Sequence, residues 1–344
     1  MKEKNNQNEE RILLHHGSGG VQMQKLIQEL FLRSFSNPVL GSLTDSAILD
    51  LPTRLLAFTT DSYVVDPIFF PGGDIGKLAV CGTVNDLAVS GARPVYLSAS
   101  FIIEEGFLLR DLKAIVHSMA SEAKKAGVLI VTGDTKVVNK GKCDKIFITT
   151  TGIGLLEKRY RNISFGRGIC PGDKILVNGT LGDHGMAILN ARESFQFSSR
   201  LVSDCASLNR FVQDILDFSG GIRFMRDATR GGLATVLCEL AGKTGHGILV
   251  RESDVPLRPE VRGMSELLGM DPFYLANEGK VVMVVSGREA GRILGKMKET
   301  RAGRNSAVIG EVVKSHPGKV VLDTISGGKR FLEMLSGDQL PRIC

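Results

Sequence analysis

The chain contains no tryptophan, and only 6% of its 344 residues are aromatic. Lysines and arginines are scattered along it, so there is neither a stacking platform nor a basic stripe, and nucleic acid is not an expected partner. Its six cysteines (Cys81, Cys143, Cys170, Cys205, Cys238 and Cys344) form no C-x-x-C pair and no regular framework. That pattern argues against a zinc site or a disulfide scaffold and for the reduced thiols of a cytoplasmic protein. No apolar run approaches the roughly 20 residues that span a bilayer. The opening MKEKNNQNEERILLHHGSGG is polar and holds no signal-peptide core. No membrane association is expected. Absent too are G-x-x-x-x-G-K-[ST] and a G-x-G-x-x-G following a strand, which excludes a P-loop ATPase and gives no sign of a dinucleotide fold.

What is present is an ordinary globular composition, 43% hydrophobic and 23% charged, with a net charge of +6 that suits an anionic ligand such as ATP. The length allows two domains. Residues 1–10, charged and amide-rich, are expected to be disordered. LLAFTT (55–60) reads as a buried strand delivering Asp61 to its end, and VYLSASFII (95–103), VLIVTG and IFITTTGIG as further strands. Apolar residues near 3.6 spacing predict helices over GDIGKLAVCGTVNDLAVSG (73–91) and LLRDLKAIVHSMASEAKKAG (108–127), the second stopped by Gly127. The charged stretch EKRYRNISFGRGICPGD (157–173) ends in a turn signal and marks a domain boundary. Beyond it come KILVNG, VVMVVSG and AVIGEVV as strands, and at least three helices, the best being SLNRFVQDILDF and GGLATVLCELAGKTG. The chain divides into an N-terminal extension with a Gly-rich loop (1–38), an α/β domain (39–157), a second α/β domain (158–335) and a mobile tail (336–344).

The chemical signal lies in acids flanked by Gly, Thr and Asn: LTDSAIL (Asp45), FTTDSYVVDP (Asp61), GTVNDLAVSG (Asn85, Asp86), IVTGDTKVV (Asp134, Lys136) and RDATRGGLATV (Asp227). Any one of these could be a turn former or helix cap. Together they suit Mg²⁺-nucleotide, because magnesium takes hard oxygens from a few carboxylates, phosphates and water, and Lys136 could supply a point charge to a phosphate. HGSGG (16–20) could cover phosphates, and TRGGLA (229–234) opens a helix. His184 is read as a structural residue in a loop before a helix, and Cys81 and Cys238 as core residues. Glu278 stands just before the apolar strand VVMVV and is either a satisfied structural acid or a general base with a tuned pKa. Cys344 is the last residue of LPRIC, so it does not match a prenylation signal, in which the cysteine stands fourth from the end.

In order along the chain, HGSGG, TTDSYVVDPIFFPGGDIGKLAVCGTVNDLAVSGARP (59–94), VTGDTKVV (131–138), RDATRGGLA (226–234), ANEGK (276–280) and PRIC (341–344) closely resemble the carbamoyl dehydratase family of hydrogenase maturation. That family belongs to the ATP-binding superfamily of aminoimidazole ribonucleotide synthetase, selenophosphate synthetase and thiamin-monophosphate kinase. The resemblance runs from about residue 12 to the last. The ND and D-x-T-x-G-G motifs are shared across the superfamily, whereas the closing PRIC is far more specific. It implies an α/β (α+β) two-domain fold, a homodimer formed through the N-terminal domains, and ATP between the domains. Carried over by position, Asp45, Asp86 and Asp227 match Mg²⁺-binding aspartates. Asp61, Asn85, Asp134, Thr135 and Lys136, with Gly19 and Gly20, match nucleotide- and phosphate-binding loops. Glu278 falls in an acidic loop, and Cys344 matches a carbamoyl-bearing cysteine. The implied activity is ATP-dependent dehydration of S-carbamoyl-Cys344 to a thiocyanate, the source of the cyanide ligand on the iron of a [NiFe]-hydrogenase. A carbamoyltransferase (HypF) would load the thiol and an iron scaffold (HypC with HypD) would receive the product. The alternative is another ATP-dependent small-molecule kinase or synthetase of the superfamily.

Overall fold

The structure, a computed structural model, describes residues 10–17, 21–42, 51–52, 55–193, 201–334 and 343. The stretch expected to be disordered lies outside these residues except for Glu10. The described chain opens with α1 (Val21–Leu26), prolonged by a wider helical turn to Leu32. The first sheet unit follows: β1 (Leu56–Tyr63), the short ladder β2 (Phe69–Phe70) and β3 (Gly73–Asp74), α2 (Ile75–Val89), β4 (Ala92–Glu104), α3 (Leu109–Ala126), β5 (Leu129–Val138) and β6 (Ile146–Leu156). The second unit holds β7 (Lys174–Val177), α4 (Asp183–Glu193), α5 (Asn209–Phe218), β8 (Ile222–Asp227), α6 (Gly232–Thr244), β9 (Gly247–Arg251), α7 (Pro259–Leu268), β10 (Val281–Val285), α8 (Ala290–Lys298), β11 (Ala307–Val313), β12 (Val320–Asp323) and β13 (Lys329–Leu332). The first sheet runs β1-β6-β4-β5 and the second β13-β12-β9-β11-β7-β10-β8. Among the described residues no helix is long and apolar enough to cross a membrane.

Helix α2 joins the two units. Asp74 starts it by accepting from the amides of Gly76 (2.7 Å) and Lys77 (2.9 Å). It packs on β1, β6 and α3 of the first unit and on α5 and β8 of the second. Every residue in it is buried except Lys77 and Asp86. A helix covered on all sides needs apolar or small residues all round, hence the unbroken LAVCGTV. Helix α3 has water on one face and shows the amphipathic pattern its sequence predicts, ending at Gly127 in the left-handed conformation (φ 77°).

Two expectations are corrected here. β1 is not a buried strand ending before Asp61. It is a sheet edge that runs on through Asp61 to Tyr63, and its outward residues Leu56 and Phe58 are 45% and 71% exposed. The apolar run was read as burial, but only one face of this sheet is covered by helices. VLIVTG likewise does not end at Gly133: β5 continues through Asp134, Thr135 and Lys136, paired to Ser100, Phe101 and Ile102 of β4.

The glycines of RDATRGGLA are needed by the backbone. Gly231 and Gly232 have φ of 75° and 58°, and a Cβ on Gly232 would lie 2.6 Å from the carbonyl oxygens of both Phe273 and Leu275. Gly232→Ala is therefore expected to destabilise the chain by at least about 2 kcal/mol, from the strained φ and the displaced backbone together. Urea unfolding of the variant beside the unaltered protein measures this.

Candidate active site

Three of the acids singled out in the sequence converge where the two units meet. Asp61 comes from β1, Asp86 from the last turn of α2 and Asp227 from the end of β8. Asp86 sits on the helix its sequence predicts, half-buried, and with Lys77 is one of two residues of α2 that are not fully covered. Thr59 donates to Asp86 Oδ2 at 2.8 Å, and the hydroxyls of Thr83 and Tyr63 lie 3.3 and 3.5 Å from Asp61 Oδ2. Burial, reinforced by the neighbouring Asp61, pushes the Asp86 carboxyl up from 3.8 to about 6. Burial and then the Asp86 charge push Asp227 up to about 7. These acids resist ionising together, so the site favours a cation among them.

Among the described residues no three acid, histidine or cysteine side chains form a ready-made metal cage. Mg²⁺ does not require one: it binds through one or two carboxylates, with phosphate oxygens and water completing its shell. The oxygen-only donor set and the crowded charge fit that ion. Asp45, expected beside these residues, lies outside the described residues.

Glu278 is 3% exposed, and its Oε1 has no hydrogen-bond partner among the described residues. Burial, with the nearby Cys205, Asp204, Asp227 and Asp61, raises its pKa well above the usual carboxylate value. A satisfied structural acid would have partners for its oxygens; this one is held in place by its backbone instead. Asp204 accepts from the amides of Glu278 (3.2 Å) and Gly279 (3.1 Å) and from Lys280 Nζ (2.7 Å). Asn85 Nδ2 donates to the carbonyls of Ala206 (3.0 Å) and Glu278 (3.4 Å), while its Oδ1 accepts from the Leu208 amide (2.7 Å). The amide of Asn85, expected at a nucleotide, is thus spent clamping the second unit onto α2.

Other expected site residues stand apart. Asp134 and Lys136 form an exposed ion pair (3.6 Å) on β5, at the opposite sheet edge from Asp61 and on the uncovered face, while Thr135 points inward and is buried. A single chain does not bring them to the aspartates. An apolar cavity of about 190 Å³ beside Thr135, lined by Phe31, Phe35, Phe101 and Ile130, falls below the roughly 300 Å³ of ordinary small-ligand pockets and is too small for a nucleotide. Gly19, Gly20 and Cys344 lie outside the described residues. Ile343 is described, and it is buried: its carbonyl oxygen is 2.8 Å from His184 Nε2. His184 itself is the second residue of α4, not part of a loop. Sequence reasoning missed Ser203 and Asp204, which sit in VSDCASLNR, a segment with no strand or helix period. Lys280 was visible in ANEGK, but its partner was not.

The match to the AIR synthase related protein family covers the N-terminal domain model over residues 43–156 and the C-terminal domain model over residues 170–323. Carbamoyl dehydratase HypE of Rhodobacter capsulatus is 51% identical over 98% of this chain and 99% of its own length. The crystal structure of hydrogenase maturation protein HypE in complex with ATP superposes with a TM-score of 0.92 at 50% identity, covering 96% of this chain and 99% of that one. A crystal structure of a HypE–HypF complex matches with a TM-score of 0.78 at 47% identity, covering 90% and 99%.

The raised carboxyls have a measurable consequence. A carboxyl whose pKa is higher in the folded than in the unfolded chain stabilises the fold at low pH, and that contribution is lost as pH rises through the folded value. For Asp86 and Asp227 the window runs from about 4 to about 7. In metal-free, nucleotide-free buffer, Asp227→Asn is expected to flatten the fall in unfolding temperature across that window, measured by thermal melts from pH 4 to 8.

Proposed function

The chain belongs to the AIR synthase related family and, within it, to the carbamoyl dehydratase HypE of hydrogenase maturation; from that premise and the buried acid site we infer how its own residues carry out the ATP-dependent dehydration. The observation that carries the inference is Glu278, a buried carboxyl with an unpartnered oxygen beside three crowded aspartates. We propose that the group dehydrated is an S-carbamoyl on Cys344 and that the product is a thiocyanate.

An amide oxygen leaves poorly. The carbamoyl oxygen therefore attacks the γ-phosphorus of ATP, and ADP departs. The nitrogen then gives up its protons, the C–O bond breaks, phosphate leaves with that oxygen, and the carbon–nitrogen bond becomes triple. Glu278 accepts one nitrogen proton and the departing phosphate carries off the other; the raised pKa of Glu278 makes it a stronger base once ionised than an exposed glutamate. Asp86 and Asp227, with Asp61 beside them, would hold Mg²⁺, which when bound would neutralise charge on the nucleotide phosphates. Burial at the junction keeps water from hydrolysing the activated carbamoyl group.

We assign HypF as the carbamoyl donor and a HypC–HypD complex as acceptor of the cyano group, and place the reaction in the cytoplasm, consistent with the free thiols of all five described cysteines. A homodimer would cover the open face of the first sheet, where Leu56, Phe58, Ile102 and Leu129 are exposed. It would also give the Asp134–Lys136 pair a route to an ATP site that a single chain does not provide.

Glu278→Gln is expected to slow dehydration by roughly 10²–10⁴-fold while leaving the loading of Cys344 intact. Intact-mass analysis of the loaded chain with Mg²⁺-ATP reads this as failure to lose the mass of one water; loss at the unaltered rate would contradict the base assignment. Phe58→Asp is expected to convert the dimer to a monomer in light scattering, because a charge in an apolar sheet-to-sheet contact has no partner.

A further inference from the structure

His184 is the clearest buried polar group that the dehydration chemistry leaves unused. It is fully buried at the junction of the units, with the ring of Phe70 edge-on at 5.6 Å. Its two nitrogens have one contact each: Nδ1 is 2.8 Å from Ser203 Oγ, and Nε2 is 2.8 Å from the carbonyl oxygen of Ile343. A carbonyl can only accept, so Nε2 carries the proton, and in the neutral ring Nδ1 must then accept from the Ser203 hydroxyl. Ser203 Oγ in turn accepts from the Cys205 amide at 3.1 Å. Each proton has one destination, and the tautomer is fixed by the chain of donors.

A histidine serving only the core would bond groups within its own domain. This one reaches a backbone carbonyl 159 residues away, one peptide bond before the reactive cysteine. Ile343 is 3% exposed in the same apolar cluster as Ile188, Cys205 and Ala276. The segment that supports His184 also supports the base: Ser203 holds the ring, Asp204 holds the amides of Glu278 and Gly279, and the Ala206 amide donates to the Glu278 carbonyl at 3.3 Å.

We propose that His184 is a positioning residue for the dehydration, gripping the carbonyl of Ile343 and so holding the residue before Cys344 beside the Glu278 site. The recognised ligand is a backbone carbonyl whose own side chain is aliphatic. The docking stands on the contacts alone; its catalytic meaning rests on the dehydratase reading above.

The Ile343 carbonyl belongs to the peptide bond that a carboxypeptidase must cut to release Cys344, so that enzyme reports on the grip. Release is followed by intact mass in full-length protein. His184→Met, which keeps bulk and removes the donor, is expected to speed release about tenfold, the equivalent of one hydrogen bond. His184→Gln, which retains an N–H, is expected to stay near the unaltered rate. Ser203→Ala, which frees the tautomer without touching Ile343, is expected to shift release in the same direction as Met and carries the test should the Met variant fail to fold. Equal release from all variants, or Gln releasing as fast as Met, would overturn the grip. In single-turnover dehydration of the loaded chain, the Met variant should be slowed while loading by the carbamoyltransferase is unchanged. Faster release with unchanged dehydration would overturn the positioning role, whereas absence of dehydration in the unaltered protein would overturn the dehydratase reading and leave the grip standing.

Discussion

The structure depends on a helix covered on almost every side. Helix α2 is covered by the first sheet on one side and by α5 and β8 on the other, and its Ala88 and Val89 pack in one cluster with Leu176, Phe211 and Met225 of the second unit. The cost of that arrangement is that each polar residue buried in α2 needs a partner from one of the two units: Thr83 finds Thr150 in the first. Asn85 finds its partners across the junction, with hydrogen bonds to the 206–208 segment and to the Glu278 carbonyl. Asp86 is satisfied only in part, by Thr59 of β1 in its own unit, and is left facing Asp61 and Asp227. The binding site follows from this: the carboxylates are crowded because a shared helix brings both units' acids to one place.

Crowding gives the acids their chemistry. Asp86 and Asp227 keep their protons to about 6 and about 7 because each ionisation must be made in a buried place and against a neighbouring charge. Glu278 lies deeper, and burial raises it well above the usual carboxylate value. A cation answers the first two groups, and a substrate proton answers the third. The 203–206 segment fixes the distance between these tasks, since adjacent residues in it hold the His184 ring and the Glu278 backbone.

Much of this was legible in the residues. The apolar run of α2, the stop at Gly127 and the helix opened by TRGGLA are local consequences of local chemistry. The order of the Gly- and Asp-flanked motifs carried the family resemblance through to the last residues. What could not be read was long-range. The exposure of Phe58 depends on which sheet face the helices leave bare, and an apolar strand looks the same in sequence whether a helix or a second chain covers it. Asp204 and Ser203 sit in an aperiodic segment, and their importance appears only when Glu278 and His184, far along the chain, fold against them. Asp134 and Lys136 showed the right chemistry, but strand alternation and the order β1-β6-β4-β5 put them on the other face and the other edge.

The most direct test of the account follows one atom. Carbamoyl groups labelled with heavy oxygen can be loaded on Cys344 and the chain given Mg²⁺-ATP in ordinary water. If ATP activates the carbamoyl oxygen and Glu278 completes its departure, the label appears in inorganic phosphate as the chain loses the mass of one water. Label released to water, with none in phosphate, would contradict it.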